Sequence, residues 1–309
     1  MTVSSAPDSM AQVAPEPVRL ASDPPTALSI VIPARDESGG LRLLLPRLRA
    51  DWPGADILVI DDGSCDDTVA VCSASAVRVI SHPRSLGNGA AVKTGARAAR
   101  GRILVFMDAD GQHRAEDVPR LVDALDQGYD MVVGARARAG QAGAHRALAN
   151  AFYNWLASWM VGSPIDDLTS GFRAVRAERF RKFLYLLPNT FSYPTTITMS
   201  FFRAGYPVGY LPIVAPPRIG RSHLRIWRDG ARFLLIIFKI GTLYSPLKIF
   251  LPISLSLFAT GIGWYSYTFV TTHRFTNMSA LLFINALVIF LIGLVSEQIT
   301  ALNYRDSEY

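Results

Sequence analysis

Residues 103–113 read Ile-Leu-Val-Phe-Met-Asp-Ala-Asp-Gly-Gln-His. Five apolar residues stop at two carboxylates one residue apart, followed by glycine. This is the pattern of a buried strand that ends in a polar turn. The same pattern repeats outward from it. Short apolar runs occur at Leu28–Ile32, Ile57–Ile60, Val77–Ile80 and Met131–Val133, each closing on a polar or Gly-containing turn. Amphipathic stretches at Leu41–Ala50, Thr68–Ala74, Ala90–Arg100 and Asp117–Gln127 separate them. Strands alternating with helices predict an α/β fold with a mostly parallel sheet wrapped by helices. In such sheets ligands bind at the carboxyl ends of the strands, so the turns after the first, second and fourth strands matter most.

The chain has 309 residues, of which 50% are apolar and 18% charged, and its formal net charge is +6. This composition excludes a disordered or fibrous chain and points toward a membrane. The basic balance suits phosphate, anionic lipid or nucleic acid. Cys65 and Cys72 lack metal-ligand spacing and read as reduced cytosolic thiols. Residues 1–26 are rich in Ala, Ser and Pro and are expected to be a disordered tail. They hold no apolar run that would serve as a signal peptide, so the domain that follows is expected to be cytoplasmic.

The C-terminal third differs. Ile249–Val270 is a 22-residue run without charge, and Met278–Ser296 is a second of 19 residues. At about 1.5 Å per residue each approaches or exceeds the bilayer core. The alternative is two buried helices of a soluble bundle. Arg225, Arg228, Arg232, Lys239 and Lys248 precede the first run, while the link holds only Arg274. The positive-inside rule therefore predicts a multi-pass hairpin in the inner membrane, over residues 246–304, with both ends cytoplasmic. Residues 224–245 mix arginines with Trp227 and a run of apolar residues. That suits an interfacial amphipathic helix, with an ordinary core helix as the alternative.

Asp108 and Asp110 can share Mg²⁺ or Mn²⁺, which prefer oxygen ligands and often bridge carboxylates to substrate phosphates. A polar turn without function is the competing reading. Asp61-Asp62-Gly63-Ser64 ends the second strand, where a carboxylate can accept hydrogen bonds from a base or ribose. Ser64, Asp66 and Asp67 can also simply cap the next helix. Pro33-Ala34-Arg35-Asp36-Glu37 forms a third polar edge. Gly87-Asn88-Gly89 lacks the dinucleotide fingerprint spacing, which disfavours a Rossmann dehydrogenase. Between Leu168 and Arg228 ten Arg and Lys residues face one acid, Glu178, and Gly134–Ile165 holds three arginines and no acid. This basic run leads into the hairpin, so anionic lipid is the natural partner, and no nucleic-acid motif accompanies it.

Ser29-Ile30-Val31-Ile32-Pro33, Asp61-Asp62-Gly63-Ser64, Asp108-Ala109-Asp110-Gly111-Gln112-His113 and Thr169-Ser170-Gly171-Phe172-Arg173 stand in the order seen in family 2 glycosyltransferases. The last motif and the hairpin resemble the polyprenyl-phosphate branch, which includes dolichol-phosphate mannose synthases. The resemblance implies a GT-A catalytic domain over residues 27–223, a nucleotide-sugar donor such as GDP-mannose or UDP-glucose, and a polyprenyl phosphate acceptor. It implies that Pro33, Arg35, Glu37, Asp61, Asp62, Asp108 and Ala109 line the nucleotide sugar. Asp108, Asp110 and Gln112 would hold the metal. Arg136, Arg146, Ser170, Arg218, Arg221, Ser222 and His223 would meet the acceptor phosphate, and Asp110, Arg136, Asp167 and Arg173 would be catalytic. Two positions depart from the pattern. Arg35 replaces a frequent aromatic, and His223 stands where Lys or Asn is common.

A phosphate acceptor is already anionic and needs no strong base. Asp167 is thus open to two readings, an acceptor-orienting weak base or a loop carboxylate paired with an arginine. Processive family 2 synthases, which act on hydroxyl acceptors, carry a Q-x-x-R-W that is absent here. A non-catalytic, membrane-tethered nucleotide-sugar scaffold is the remaining alternative, and the intact D-x-D argues against it. A transporter is excluded by two plain spans without intramembrane ionisable residues. The oligomeric state stays open, a homo-oligomer included.

Overall fold

The apolar runs form strands because both of their faces are covered. The structure is a computed structural model that describes residues 27–136, 144–189, 192–214, 242 and 244–305, without the side chains of 144–150 and 303–305. The strands are β1 (Leu28–Ala34), β2 (Asp56–Asp61), β3 (Arg78–Ser81), β4 (Ile103–Phe106), β5 (Met131–Arg136), β6 (Arg173–Arg176) and β7 (Val208–Ile213). They make one sheet in the order β3-β2-β1-β4-β6-β5-β7. Every pairing is parallel except those of β6 with β4 and β5.

The helices α1 (Ser38–Asp51), α2 (Thr68–Ala74), α3 (Asn88–Ala98), α4 (Asp117–Asp126), α5 (Ala144–Val161), α6 (Ala177–Arg181) and α7 (Tyr193–Arg203) surround the sheet. Side-chain alternation divides the core. Ile30, Ile32, Ile57, Val59 and Val105 pack with Leu41 and Leu45 of α1 and Val118 and Leu121 of α4. Val31, Leu58, Ile60, Leu104 and Phe106 pack on the other face with Val92, Phe180, Ile197 and Phe201. Each such buried side chain is worth roughly 1.5–3 kcal/mol of transfer free energy.

The five expected strands and their intervening helices are present, with boundaries shifted by at most three residues. β6, β7, α6 and α7 were not anticipated. β6 is four residues bracketed by arginines, so it lacks an apolar run. β7 contains Pro212 and lies at the sheet edge, where a missing N–H is tolerated.

Beyond the sheet, α8 (Pro246–Thr272) and α9 (Asn277–Arg305) form a hairpin. Both are long and apolar enough to cross a membrane, and their apolar surface faces outward, with Leu255, Phe258, Ile284 and Leu287 exposed. That excludes the buried-bundle alternative, because a core helix would hide those side chains. The helices touch through small residues: Ser254 donates to the Ala286 carbonyl at 2.7 Å, and Gly261 faces Phe283. The hairpin base is tied to the sheet-bearing half. Tyr244 donates to the Thr196 carbonyl at 2.7 Å, Lys248 donates to the Met160 carbonyl at 2.7 Å, and Arg203 pairs with Glu297 at 3.1 Å. The expected tail 1–26, Arg218, Arg221, Ser222, His223, most of the interfacial segment 224–245 and the side chain of Arg146 lie outside the described residues.

Candidate active site

Three turns at the carboxyl edge of the sheet converge as parallel topology requires. The turn after β1 is stitched to the turn after β2. Asp36 N–H donates to Ser64 Oγ at 2.9 Å, Cys65 N–H to Asp36 Oδ1 at 2.7 Å, and Ser38 N–H to Asp66 Oδ2 at 3.1 Å. Ser64 therefore joins two loops instead of capping α2, Asp66 joins them and also accepts Thr68 N–H at 3.0 Å, and Asp67, next before α2, makes no side-chain cap bond. Pro33 lies in β1, Glu37 N–H donates to Thr68 Oγ1, and exposed Arg35 donates to Ser85 Oγ. Asp61 is buried and accepts Ser64 N–H at 2.9 Å.

Asp62 was expected to line the nucleotide sugar, and the structure corrects that. Its buried carboxylate accepts from Leu86 N–H, Gly87 N–H and Ser85 Oγ at 2.8–2.9 Å and contacts His82 Nδ1 at 2.8 Å. It organises the loop between β3 and α3 and has little capacity left for a ligand. Burial alone raises this carboxyl, but the bonds from His82, Leu86, Ser85 and Gly87 hold it below its ordinary value. A carboxyl depressed in the folded state adds stability above its unfolded pKa of about 4, and that stability is lost as pH falls through the folded value. Asp62→Asn is therefore expected to flatten the acid side of the stability profile, read as melting temperature from about pH 6 down to pH 2.5. A variant that keeps the parent's acid slope would refute this.

The D-x-D turn is held from below by a histidine. Asp108 N–H donates to His113 Nδ1 at 2.9 Å. Nδ1 is thus the acceptor, and Nε2 carries the proton, 4.0 Å from Asp108 Oδ2. Burial drives the His113 pKa down to about 4, opposed by Asp110, so the ring is neutral near pH 7. It stacks on Phe172 at 4.8 Å. Asp110 is buried, with Oδ1 accepting Gln112 N–H at 3.1 Å, whereas the Asp108 side chain is 38% exposed. Ala109 packs against α1: a Cβ at Gly40 would stand 2.0 Å from the Ala109 carbonyl oxygen. Gly40→Ala must move that turn. It is expected to cost about 1–3 kcal/mol and lower activity with it, read as melting temperature and rate on one preparation. Parent values for both would show the turn to be free to shift.

The antiparallel β6 brings the T-S-G-F-R motif to the same edge. Arg173 aligns with Phe106 and with Val133, so the residues just before it lie beside the end of β4. A Cβ at Gly171 would stand 3.0 Å from Asp108 Oδ2, so this loop lies directly against the carboxylate. Next to it, Arg136 grips Asp167 with two bonds, Nε–Oδ2 at 2.8 Å and Nη2–Oδ1 at 3.1 Å, and Nη2 donates to Thr169 Oγ1 at 2.7 Å. Asp167 also accepts the N–H groups of Thr169 and Ser170 at 3.0 and 3.1 Å. Of the two readings of Asp167, the structure has the arginine-paired one. Burial raises its pKa, but the bonds and charge of Arg136 outweigh this and hold it low. Asp108 and Asp110 both add to the field that keeps Arg136 charged.

Arg173 is a correction. Arg173 was expected at the reacting groups but is fully buried, donating to the carbonyls of Ser170 and Pro194 and to Thr198 Oγ1, with Tyr193 under its guanidinium. It holds β6 to α7 and acts on the site only through the Ser170–Gly171 backbone. The Ser170 hydroxyl is buried and has no hydrogen-bond partner among the described residues. His113, Gly40 and Gly171 were in or beside quoted motifs without assigned roles; only their neighbours in space reveal them.

No group of three His, Cys, Asp or Glu side chains able to hold a metal occurs among the described residues. A cation that takes all its ligands from protein does not fit. Two carboxylates in one turn, one of them open to solvent, fit Mg²⁺ or Mn²⁺ completed by phosphate oxygens and water.

The family described as Glycosyl transferase family 2 matches residues 29–203, and the one described as GtrB C-terminal hairpin matches 245–302. The polyprenol monophosphomannose synthase of Mycolicibacterium smegmatis is 30% identical, over 69% of this chain and 84% of that one. The undecaprenyl-phosphate mannosyltransferase of Micrococcus luteus is 34% identical, over 49% of this chain and 67% of that one. In fold, the chain is similar to glucosyl-3-phosphoglycerate synthase of Mycobacterium tuberculosis, crystallised with Mn²⁺, uridine diphosphate and glucosyl-3-phosphoglycerate. That structure has a TM-score of 0.57 and 24% identity, covering 70% of this chain and 79% of that one.

Proposed function

The chain belongs to glycosyl transferase family 2, and from that premise we propose that it transfers a hexose from a nucleotide sugar to a polyprenyl phosphate at the cytoplasmic membrane face. One observation carries the reading. The Asp108–Asp110 turn and the Arg136–Asp167–Thr169 cluster meet at one sheet edge, on a chain that also carries a hairpin of membrane-crossing length. The two relatives, a monophosphomannose synthase and a mannosyltransferase, favour mannose over glucose as the sugar.

In this reading the acceptor phosphate oxygen forms a bond to the anomeric carbon as the bond to the nucleoside diphosphate breaks. The electron pair leaves with the diphosphate, and attack from the opposite face inverts the configuration. A divalent cation on Asp108 and Asp110, with Gln112 beside them, would neutralise the leaving diphosphate. The rest falls to the chain. His113 fixes the backbone of Asp108. Gly171 brings the acceptor-side loop against that carboxylate. Asp167 aims Arg136, whose positive charge faces anionic substrates. Asp167 is not free to take a proton, which suits an acceptor that arrives ionised and does not suit a sugar hydroxyl. Both ends of the hairpin face the cytoplasm, with Arg274 in the outer link.

The test is a donor and acceptor matrix: GDP-mannose and UDP-glucose against undecaprenyl phosphate, undecaprenol and oligosaccharides, with Mg²⁺ or Mn²⁺, reading released nucleoside diphosphate. Transfer confined to the phosphate acceptor is expected. Efficient transfer to a hydroxyl acceptor would overturn the assignment.

A further inference from the structure

Helix α5 carries an aromatic stripe that nothing in the catalytic cycle uses. Its inner side packs through Tyr153, Ala157 and Met160 against Met199 and Tyr244. Its outer side exposes Phe152, Trp155 and Trp159, at 51%, 61% and 43%. Their spacing of three and four residues aligns them on one face. Three large exposed aromatics on one helix face of a folded domain mark a contact surface.

The occupant is indicated by what adjoins the stripe. At the end of α5, the carbonyls of Trp159 and Met160 accept hydrogen bonds from Lys248 Nζ at 3.0 and 2.7 Å, and that ammonium lies 6.0 Å from the centre of the Trp159 ring. Lys248 is three residues before Leu251, where the outward apolar surface of α8 begins. Ile249 packs in the same cluster as Ala157 and Met160. The stripe is thus continuous with the surface of the hairpin and starts at its base. Residues 134–165 hold no acid to repel anionic headgroups. Tryptophan at that level, with its apolar ring and polar N–H, is the side chain enriched at membrane interfaces.

We propose that the outer face of α5 is a second membrane contact, with Phe152, Trp155 and Trp159 seated in the headgroup–acyl boundary of the bilayer that the hairpin spans. This rests on the reading of α8 and α9 as membrane-crossing. It gives the catalytic half a fixed orientation on the lipid surface, since one hairpin alone leaves rotation about its axis open. It also sets α5, the helix that follows the Arg136 strand, along the lipid surface from which the acceptor phosphate is drawn.

The test uses the full chain in phosphatidylethanolamine/phosphatidylglycerol vesicles. Exposed Cys65 is replaced by Ser, and buried Cys72 is left in place. An environment-sensitive fluorophore is attached at Trp155→Cys, at Phe258→Cys on the lipid face of α8, and at Leu43→Cys on α1, where the parent side chain is 59% exposed. Labels at 155 and 258 are expected to shift to the blue and lose emission to spin-labelled lipids, whereas the label at 43 stays water-like. A label at 155 that behaves like 43 overturns the proposal. So does one shielded from water yet unquenched by lipid, which would mean that residues 215–241 or a second copy cover the stripe. Quenching at 258 without quenching at 155 defeats the α5 contact alone; silence at both defeats the membrane-crossing reading as well.

Discussion

Asp110→Asn is expected to lower turnover by about 10²–10³-fold while leaving the melting temperature near that of the parent protein. The substitution keeps the size of the side chain and the oxygen that accepts Gln112 N–H, so the turn after β4 retains its shape. What disappears is one negative charge in a site where charge on the diphosphate must be balanced. Loss of one preorganised electrostatic contact costs roughly 2.7–4 kcal/mol in the barrier. Asp108→Asn is expected to act in the same direction, and chelation of divalent cations from the parent protein to reproduce the loss. The check is a rate measurement on both variants with metal titrated over a wide range. If Asp110→Asn kept parent turnover in the presence of chelator, these carboxylates would not be metal ligands.

The second large effect is on the loop that Asp167 assembles. Asp167→Ala strips three hydrogen bonds from Arg136, two of the guanidinium and one of the backbone, two from Thr169 and one from Ser170 N–H. Breaking a buried ion pair from one side typically costs about 3–5 kcal/mol, because the remaining charge keeps its desolvation penalty. The Asp167 side chain is 5% exposed and that of Arg136 32%, so the lower end of that range applies. For a unit of this size, that is roughly a 10 °C fall in melting temperature. Asp167→Asn retains an acceptor for the two backbone donors and is expected to recover part of the stability. Arg136→Met in the Asp167→Ala background is expected to recover part as well, since it removes the orphaned charge. Its activity is expected to stay low, because the cation that the proposed reaction sets against anionic substrates is gone. Thermal scans and rates across the three variants separate these effects. Equal stability of Asp167→Ala and the parent would show that the pair contributes nothing to the fold.

The two expectations rest on residues whose legibility differed. Asp108 and Asp110 were readable at once, since a strand of apolar residues can only end where the polar ones begin, and parallel topology sends such ends to one edge. Arg136 and Asp167 are thirty-one residues apart, and the sequence left Asp167 with two roles. Only the fold shows which arginine it meets. Arg173 was misjudged for a related reason. A motif read as a string assigns every polar member to the ligand, yet in β6 alternate side chains go to opposite faces, and this one goes into the core against α7.

Sequence alone determined the repeating strand–helix order, the hairpin of membrane-crossing length and the carboxylate turn, because these follow from local patterning and apolar length. It could not supply β6, whose four residues carry no apolar run and gain strand geometry only from pairing with β4 and β5. That antiparallel insertion turns the Thr169–Arg173 segment toward the carboxyl edge and sets Gly171 against Asp108. Tertiary structure likewise decided that His113 supports the Asp108–Asp110 turn, that Asp62 serves a loop, and that α5 leaves its aromatics exposed. Each of these depends on what stands across a gap from the residue, and a contact between distant segments leaves no periodic trace in either of them.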